Sequence, residues 1–74
     1  MTYYTERLKE LREYYDLTQK EVANVLKISQ QHYSMYETGK RILNAEQIIT
    51  LCKHYNVSAD YLLGFEDKIK KLNK

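Results

Sequence analysis

The sequence predicts an all-α domain of five short helices, and three observations carry that expectation. The 74 residues include no proline and only two glycines. Apolar residues recur at helical spacing in successive short stretches. Polar residues able to cap a helix stand ahead of four of those stretches: Thr18, Ser29, Asn44 and Ser58. Apolar residues make up 43% of the chain and charged residues 30%, a globular composition and not a disordered one. The length fits one domain, near the size below which a core alone rarely holds a fold. Cys52 is the single cysteine, so neither an internal disulfide nor a cysteine metal pair is available and packing must stabilise the fold.

The elements follow in order. Tyr4, Leu8, Leu11 and Tyr15 lie at i, i+4, i+7 and i+11 on one stripe of a first helix, and Asp16 tolerates the left-handed conformation that ends it. Thr18 with Glu21 forms a capping box that opens a second helix, whose buried face is Val22, Ala23 and Leu26 and which ends near Lys27. Ser29 caps a third helix from Gln30 to about Thr38, stopped by Gly39. Asn44 with Gln47 opens a fourth, with Ile48, Leu51, Cys52 and Tyr55 inward and Asn56 as left-handed cap. Ser58 caps a brief fifth carrying Tyr61, Leu62 and Leu63, closed by Gly64. Residues 1–64 read as the domain and 65–74 as a lysine-rich tail. In that tail Phe65, Ile69 and Leu72 are spaced either for a short helical extension or along a frayed end.

Composition narrows the function classes. No run of about eighteen apolar residues is present, and the charged N-terminus lacks an export segment. A cytoplasmic protein with no membrane association is expected. The net charge of +2 is too weak to announce a nucleic-acid partner, but its distribution is informative. Residues 1–16 carry −1, 17–44 carry +2, 45–67 carry −3 and 68–74 carry +4.

The third helix has two faces. At about 100° per residue, Gln30, Gln31, Ser34, Met35 and Thr38 fall within an arc of about 140°, with His32, Tyr33, Tyr36 and Glu37 opposite. Two short helices joined by a tight turn, with glutamines opening the second, match what a helix-turn-helix inserts into the major groove of double-stranded DNA. Glutamine can donate to adenine N7 while accepting from its N6 amine. Cations belong at the rim, where phosphates are held. Lys40 and Arg41 follow the helix directly, and the Asn44-capped helix start offers amides to a phosphate, as does the start at Gln19.

The run "RLKELREYYDLTQKEVANVLKISQQHYSMYETGKR" followed by "NVSADYLLG" resembles the Xre/Cro/C1 family of helix-turn-helix repressors, across residues 7–64. The "SQQ" opening is most similar to the 434-type members. The resemblance implies a compact five-helix, lambda-repressor-like DNA-binding domain. It also implies base reading by Gln30 and Gln31, a phosphate or outer-base contact by Gln19, and an ion pair between Arg12 and Glu37 with a structural role. Combined with the face geometry, the expected base readers are Gln30, Gln31, Ser34 and Met35. Gln19, Ser29, Thr38, Lys40, Arg41 and Asn44 are expected to position the backbone. Lys27 and Asn56 stand where relatives often have glycine, and Ile42 and Leu43 replace cations that relatives often carry there.

The expected activity is that of a transcriptional repressor, occupying a palindromic operator as a homodimer. A second reading, of another class, is a protein-interaction module of the same fold, such as an antitoxin or antirepressor. No enzyme is expected, nor a metal or small-molecule cofactor. Cys52 reads as a small buried hydrophobe, and "CKH" places no carboxylate to orient His54. Among the tyrosines, Tyr4, Tyr15, Tyr33, Tyr36 and Tyr55 read as core or core edge, with Tyr3 and Tyr14 exposed. His32 reads as a surface or hydrogen-bonded histidine.

Overall fold

Each helix after the first begins where a side-chain oxygen takes up a backbone amide left without an intrahelical partner. Thr18 accepts from the Glu21 amide and Asn44 from the Gln47 amide, each reciprocated as a full capping box. Ser29 accepts from the His32 amide and Ser58 from that of Tyr61. The computed structural model describes residues 3–65 and contains α1 (Tyr4–Tyr14), α2 (Gln19–Leu26), α3 (Gln30–Thr38), α4 (Ala45–Tyr55) and α5 (Ala59–Leu62). The remainder of the tail, read from the sequence as either a short helical extension or a frayed end, lies outside the described residues.

Chain reversals are made by left-handed residues. Asp16, Lys27 and Asn56 adopt φ near 57°, 60° and 58°, the positions where the sequence predicts helix ends. For Lys27 the cost relative to glycine is about 1 kcal/mol, because its Cβ crowds the carbonyl. The reversal lets the Ile28 amide reach the Ala23 carbonyl at 3.0 Å, satisfying an end group of α2.

The core gathers Leu8 and Leu11 of α1, Val22 and Ala23 of α2, Tyr33 and Tyr36 of α3, Leu51, Cys52 and Tyr55 of α4, and Leu62 of α5, all nearly sealed from solvent. The predicted Leu26 and Ile48 sit at its edge, partly buried. Tyr15, also on the predicted stripe, caps the C-terminal end of α1 and is 38% exposed. Its ring stacks on Tyr55 at 5.6 Å and its hydroxyl donates to the Tyr55 carbonyl at 3.3 Å. Cys52 is 6% exposed, and burial raises its thiol pKa.

Three core members have no helical periodicity or no apolar character to announce them. Leu43 and Val57 lie between helices yet are 4% and 0% exposed. The Leu43 amide donates to the Tyr4 hydroxyl at 3.3 Å, which satisfies a loop group inside the fold. Arg7 is 3% exposed; its guanidinium lies 3.9 Å from the Tyr61 ring centroid and donates to the Tyr61 carbonyl at 2.7 Å. The flat guanidinium satisfies both a π face and a carbonyl, tying α1 to α5. Among the described residues no helix is long and apolar enough to cross a membrane.

Candidate nucleic-acid interface

α2 packs directly on α3, and the three-residue link Lys27, Ile28 and Ser29 turns between them. This pairing buries Val22, Ala23 and Tyr33 and leaves the N-terminal turn of α3 projecting. Gln30, Gln31 and Thr38 are exposed, Met35 is 36% exposed, and Ser34 is half-buried. Tyr33 and Tyr36, on the other side, are buried. One side of α3 therefore has free amide and thioether groups, and the other is fixed in the core.

The flanking groups differ in what they can still donate. The Ser29 hydroxyl oxygen accepts from the His32 amide at 3.0 Å, so its own hydrogen remains free. Asn44 uses its side-chain oxygen to cap α4 and keeps its NH2 group. Gln19 donates one amide hydrogen to Glu37 Oε1 at 3.0 Å and retains the second. Thr38 differs: its one hydroxyl hydrogen goes to the Met35 carbonyl at 3.3 Å, and the hydroxyl must rotate to donate elsewhere. Lys40 and Arg41 are exposed, and their amides converge on that same Met35 carbonyl at 2.9 and 3.2 Å, which folds the basic pair against the end of α3. Ile42, beside them, is 82% exposed.

Beneath this surface, four donors converge on one carboxylate. Glu37 receives Arg12 Nε at 2.8 Å and Nη2 at 3.2 Å, the Tyr33 hydroxyl at 2.7 Å, and Gln19 Nε2 at 3.0 Å. The side chains of Arg12 and Glu37 are 13% and 5% exposed. Burial by itself raises the Glu37 pKa, but the hydrogen bonds from Arg12, Tyr33 and Gln19 outweigh it and hold the carboxyl below its ordinary value. The Glu37 hydrogen bond raises the Arg12 pKa, and burial together with Glu37 pushes the Tyr33 phenol far up. The carboxylate thus fastens α1, α2 and α3 at one point, near the C-terminal end of α3.

His32 and Gln47 were not assigned to this region from the sequence. The Tyr36 hydroxyl lies 3.0 Å from His32 Nε2 and 3.1 Å from Gln47 Oε1. The His32 and Tyr36 spacing of i, i+4 is the signal that pairs them. The contact to Gln47 crosses between helices, and local spacing does not report it. Among the described residues no group of histidine, cysteine and carboxylates could hold a metal ion.

A helix-turn-helix family model matches residues 8–62. The chain is 42% identical over 69 residues to the HTH-type transcriptional regulator ImmR of Bacillus subtilis, covering 93% of this chain and 54% of that protein. It is 39% identical over 64 residues to the antitoxin PezA of Streptococcus pneumoniae, covering 86% of this chain and 40% of that one. The chain therefore spans about half the length of the curated relatives it matches. Among solved structures, the P22 c2 repressor protein in complex with synthetic operator 9T is similar, with a TM-score of 0.79 and 24% identity over 89% of this chain and 100% of that one. A transcriptional regulator from Listeria innocua gives a TM-score of 0.81 and 22% identity, over 90% of this chain and 63% of that one. At these identities the structural likeness concerns the fold.

Proposed function

Because the chain belongs to the helix-turn-helix family, of the Xre/Cro/C1 type, we propose that it is a sequence-specific, double-stranded DNA-binding transcriptional regulator. The proposed activity is repression: a dimer occupies a palindromic operator with half-sites about 34 Å apart and occludes a promoter. The observation that carries this reading is the exposed glutamine pair on the projecting turn of α3, flanked by groups that keep a free donor.

Gln30 and Gln31 read base edges, with Ser34 and Met35 alongside, Met35 suited to a thymine methyl. Lys40 and Arg41 supply the cations at the rim, and Gln19, Ser29, Asn44 and, after rotation, Thr38 supply neutral donors to phosphates. Arg12 and Glu37 take no part in contact and hold the reading helix in place. Residues 1–64 serve as the DNA-binding domain and 65–74 as a basic tail, in a cytoplasmic protein.

Selection of bound sequences from a random duplex pool tests the proposal, with a two-fold symmetric consensus as the expected result. On the selected duplex, Gln30→Ala should relax preference at one position of each half-site, at a cost of about 1–3 kcal/mol. Equal losses on all sequences would remove Gln30 from the reading set. The similarity to an antitoxin favours one alternative, a module that grips a protein partner through this fold. Absence of salt-sensitive binding to any duplex at low ionic strength, alongside a tight protein partner, would replace the first reading with that one.

A further inference from the structure

The helix proposed to read bases and the helix start proposed to hold a phosphate are joined by a short chain of hydrogen bonds. α4 packs against α5 and α2. Toward α3 it is linked by the Tyr36 hydroxyl, which meets Gln47 Oε1 at 3.1 Å and His32 Nε2 at 3.0 Å.

The direction of every proton in this chain follows from one fixed donor. The Asn44 backbone amide donates to the Gln47 side chain at 2.9 Å, so the atom it meets must be the carbonyl oxygen. That oxygen has no hydrogen to give, and the Tyr36 hydroxyl must spend its single proton on it. The hydroxyl oxygen is then an acceptor toward His32, which places a hydrogen on Nε2 of the imidazole. The capping box of α4 thereby sets the hydroxyl rotor, and the rotor sets the ring on α3.

We infer that Tyr36 is a positioning residue for DNA recognition: its hydroxyl, relayed between His32 and Gln47, sets the register of the α4 N-terminus against the reading helix. This rests on the DNA-binding function proposed above. A base contact through Gln30 and a phosphate contact at the start of α4 then have one fixed separation, and the rigid pair meets DNA without first ordering two independent elements.

The test uses the full chain with Tyr36→Phe, which keeps the buried ring and removes the hydroxyl, with Gln47→Met, which removes the acceptor at similar volume, and with the double variant. On the selected duplex, well below each melting temperature, Tyr36→Phe should weaken binding about three- to tenfold, the contribution of one such hydrogen bond, and Gln47→Met at least as much, because it also releases the Asn44 amide. The double variant should bind no worse than the weaker single one, because both cut the same link. Multiplying losses, or wild-type affinity in Tyr36→Phe with only a lowered melting temperature, would overturn the inference and leave the hydroxyl a packing role.

A measurement without DNA separates this inference from the function it rests on. Nitrogen-15 spectra at mildly alkaline pH should show His32 with its proton on Nε2 in the wild type. In Tyr36→Phe the Nε2–H fraction should fall toward that of a free histidine side chain, and the Asn44 amide should exchange faster. A wild-type proton on Nδ1, or unchanged Asn44 exchange in Tyr36→Phe, would break the relay. If these signatures hold while the wild type binds no duplex, the relay stands as the device that registers α4 against α3, and the DNA reading and the recognition role inferred from it fall.

Discussion

Replacing Glu37 by glutamine alters one buried carboxylate and little volume, yet it should be among the most destabilising single changes available. Oε1 accepts from Arg12 Nη2 and Gln19 Nε2; Oε2 accepts from Arg12 Nε and the Tyr33 hydroxyl. An amide offers one acceptor and one NH2. Whichever way it is turned, Gln19 can flip or the Tyr33 hydroxyl can rotate to adapt, but one Arg12 nitrogen must face another donor. The Arg12 side chain, 13% exposed, also loses its counter-charge. Breaking one partner of such a pair costs about 3–5 kcal/mol. At about 0.05–0.15 kcal/mol per residue, 74 residues give a total stability of roughly 4–11 kcal/mol, so the loss is a large part of it. Urea unfolding at neutral pH checks this, and a loss below about 1 kcal/mol would refute the reasoning, since that is the range of an exposed pair. The pH dependence follows from the depressed Glu37 carboxyl. Its stabilisation is fully present above the unfolded value, about 4.3, and is lost as pH falls through the lower folded value. Stability of wild type and Glu37→Gln should therefore converge on acidification, and a constant gap would assign the loss to packing.

Lys40→Ala should weaken binding to all duplexes similarly and reduce the slope of log affinity against log salt by about one, and an unchanged slope in a salt titration would remove Lys40 from the phosphate contacts. Lys27→Gly should stabilise the fold by up to about 1 kcal/mol in urea unfolding, because φ is 60° at that position. A loss there would mean that the added freedom of the unfolded chain outweighs the relieved strain. The Tyr55 hydroxyl is buried with no hydrogen-bond partner among the described residues, so Tyr55→Phe should leave the melting temperature unchanged or raise it; a clear decrease would show that the hydroxyl is satisfied.

Helix starts and ends were legible because their causes are local. The pairs Thr18 with Glu21 and Asn44 with Gln47 are three residues apart, and each closes on itself without help from the rest of the fold. Asp16, Lys27 and Asn56 were placed by the need to reverse the chain between amphipathic stretches. The exposed and buried sides of α3 followed from angular position alone. Arg7 was not legible, because a charged residue on a helix reads as solvated until the Tyr61 ring and carbonyl, 54 residues away, are brought to it. Leu43 was read as a missing surface cation and is instead core, since a two-residue apolar loop segment carries no period to show which member turns inward; Ile42 is the exposed one. Of the candidate interface, residue types and the exposed side of α3 were visible, but the state of each donor was not. That Gln19 is half committed to Glu37, and Thr38 wholly to its own helix, depends on distances that spacing does not encode.

The Cys52 thiol, set in the core with its ionisation suppressed by burial, gives the molecule a built-in stopwatch. Alkylating reagents attack the thiolate, so modification must await an opening that exposes α4 to water. When reclosing outpaces the reagent, each 1.4 kcal/mol of opening free energy slows the reaction about tenfold. Occupancy of any ligand that binds only the folded chain would then be read directly, as minutes lengthening into hours, with no label added to the surface where that ligand sits.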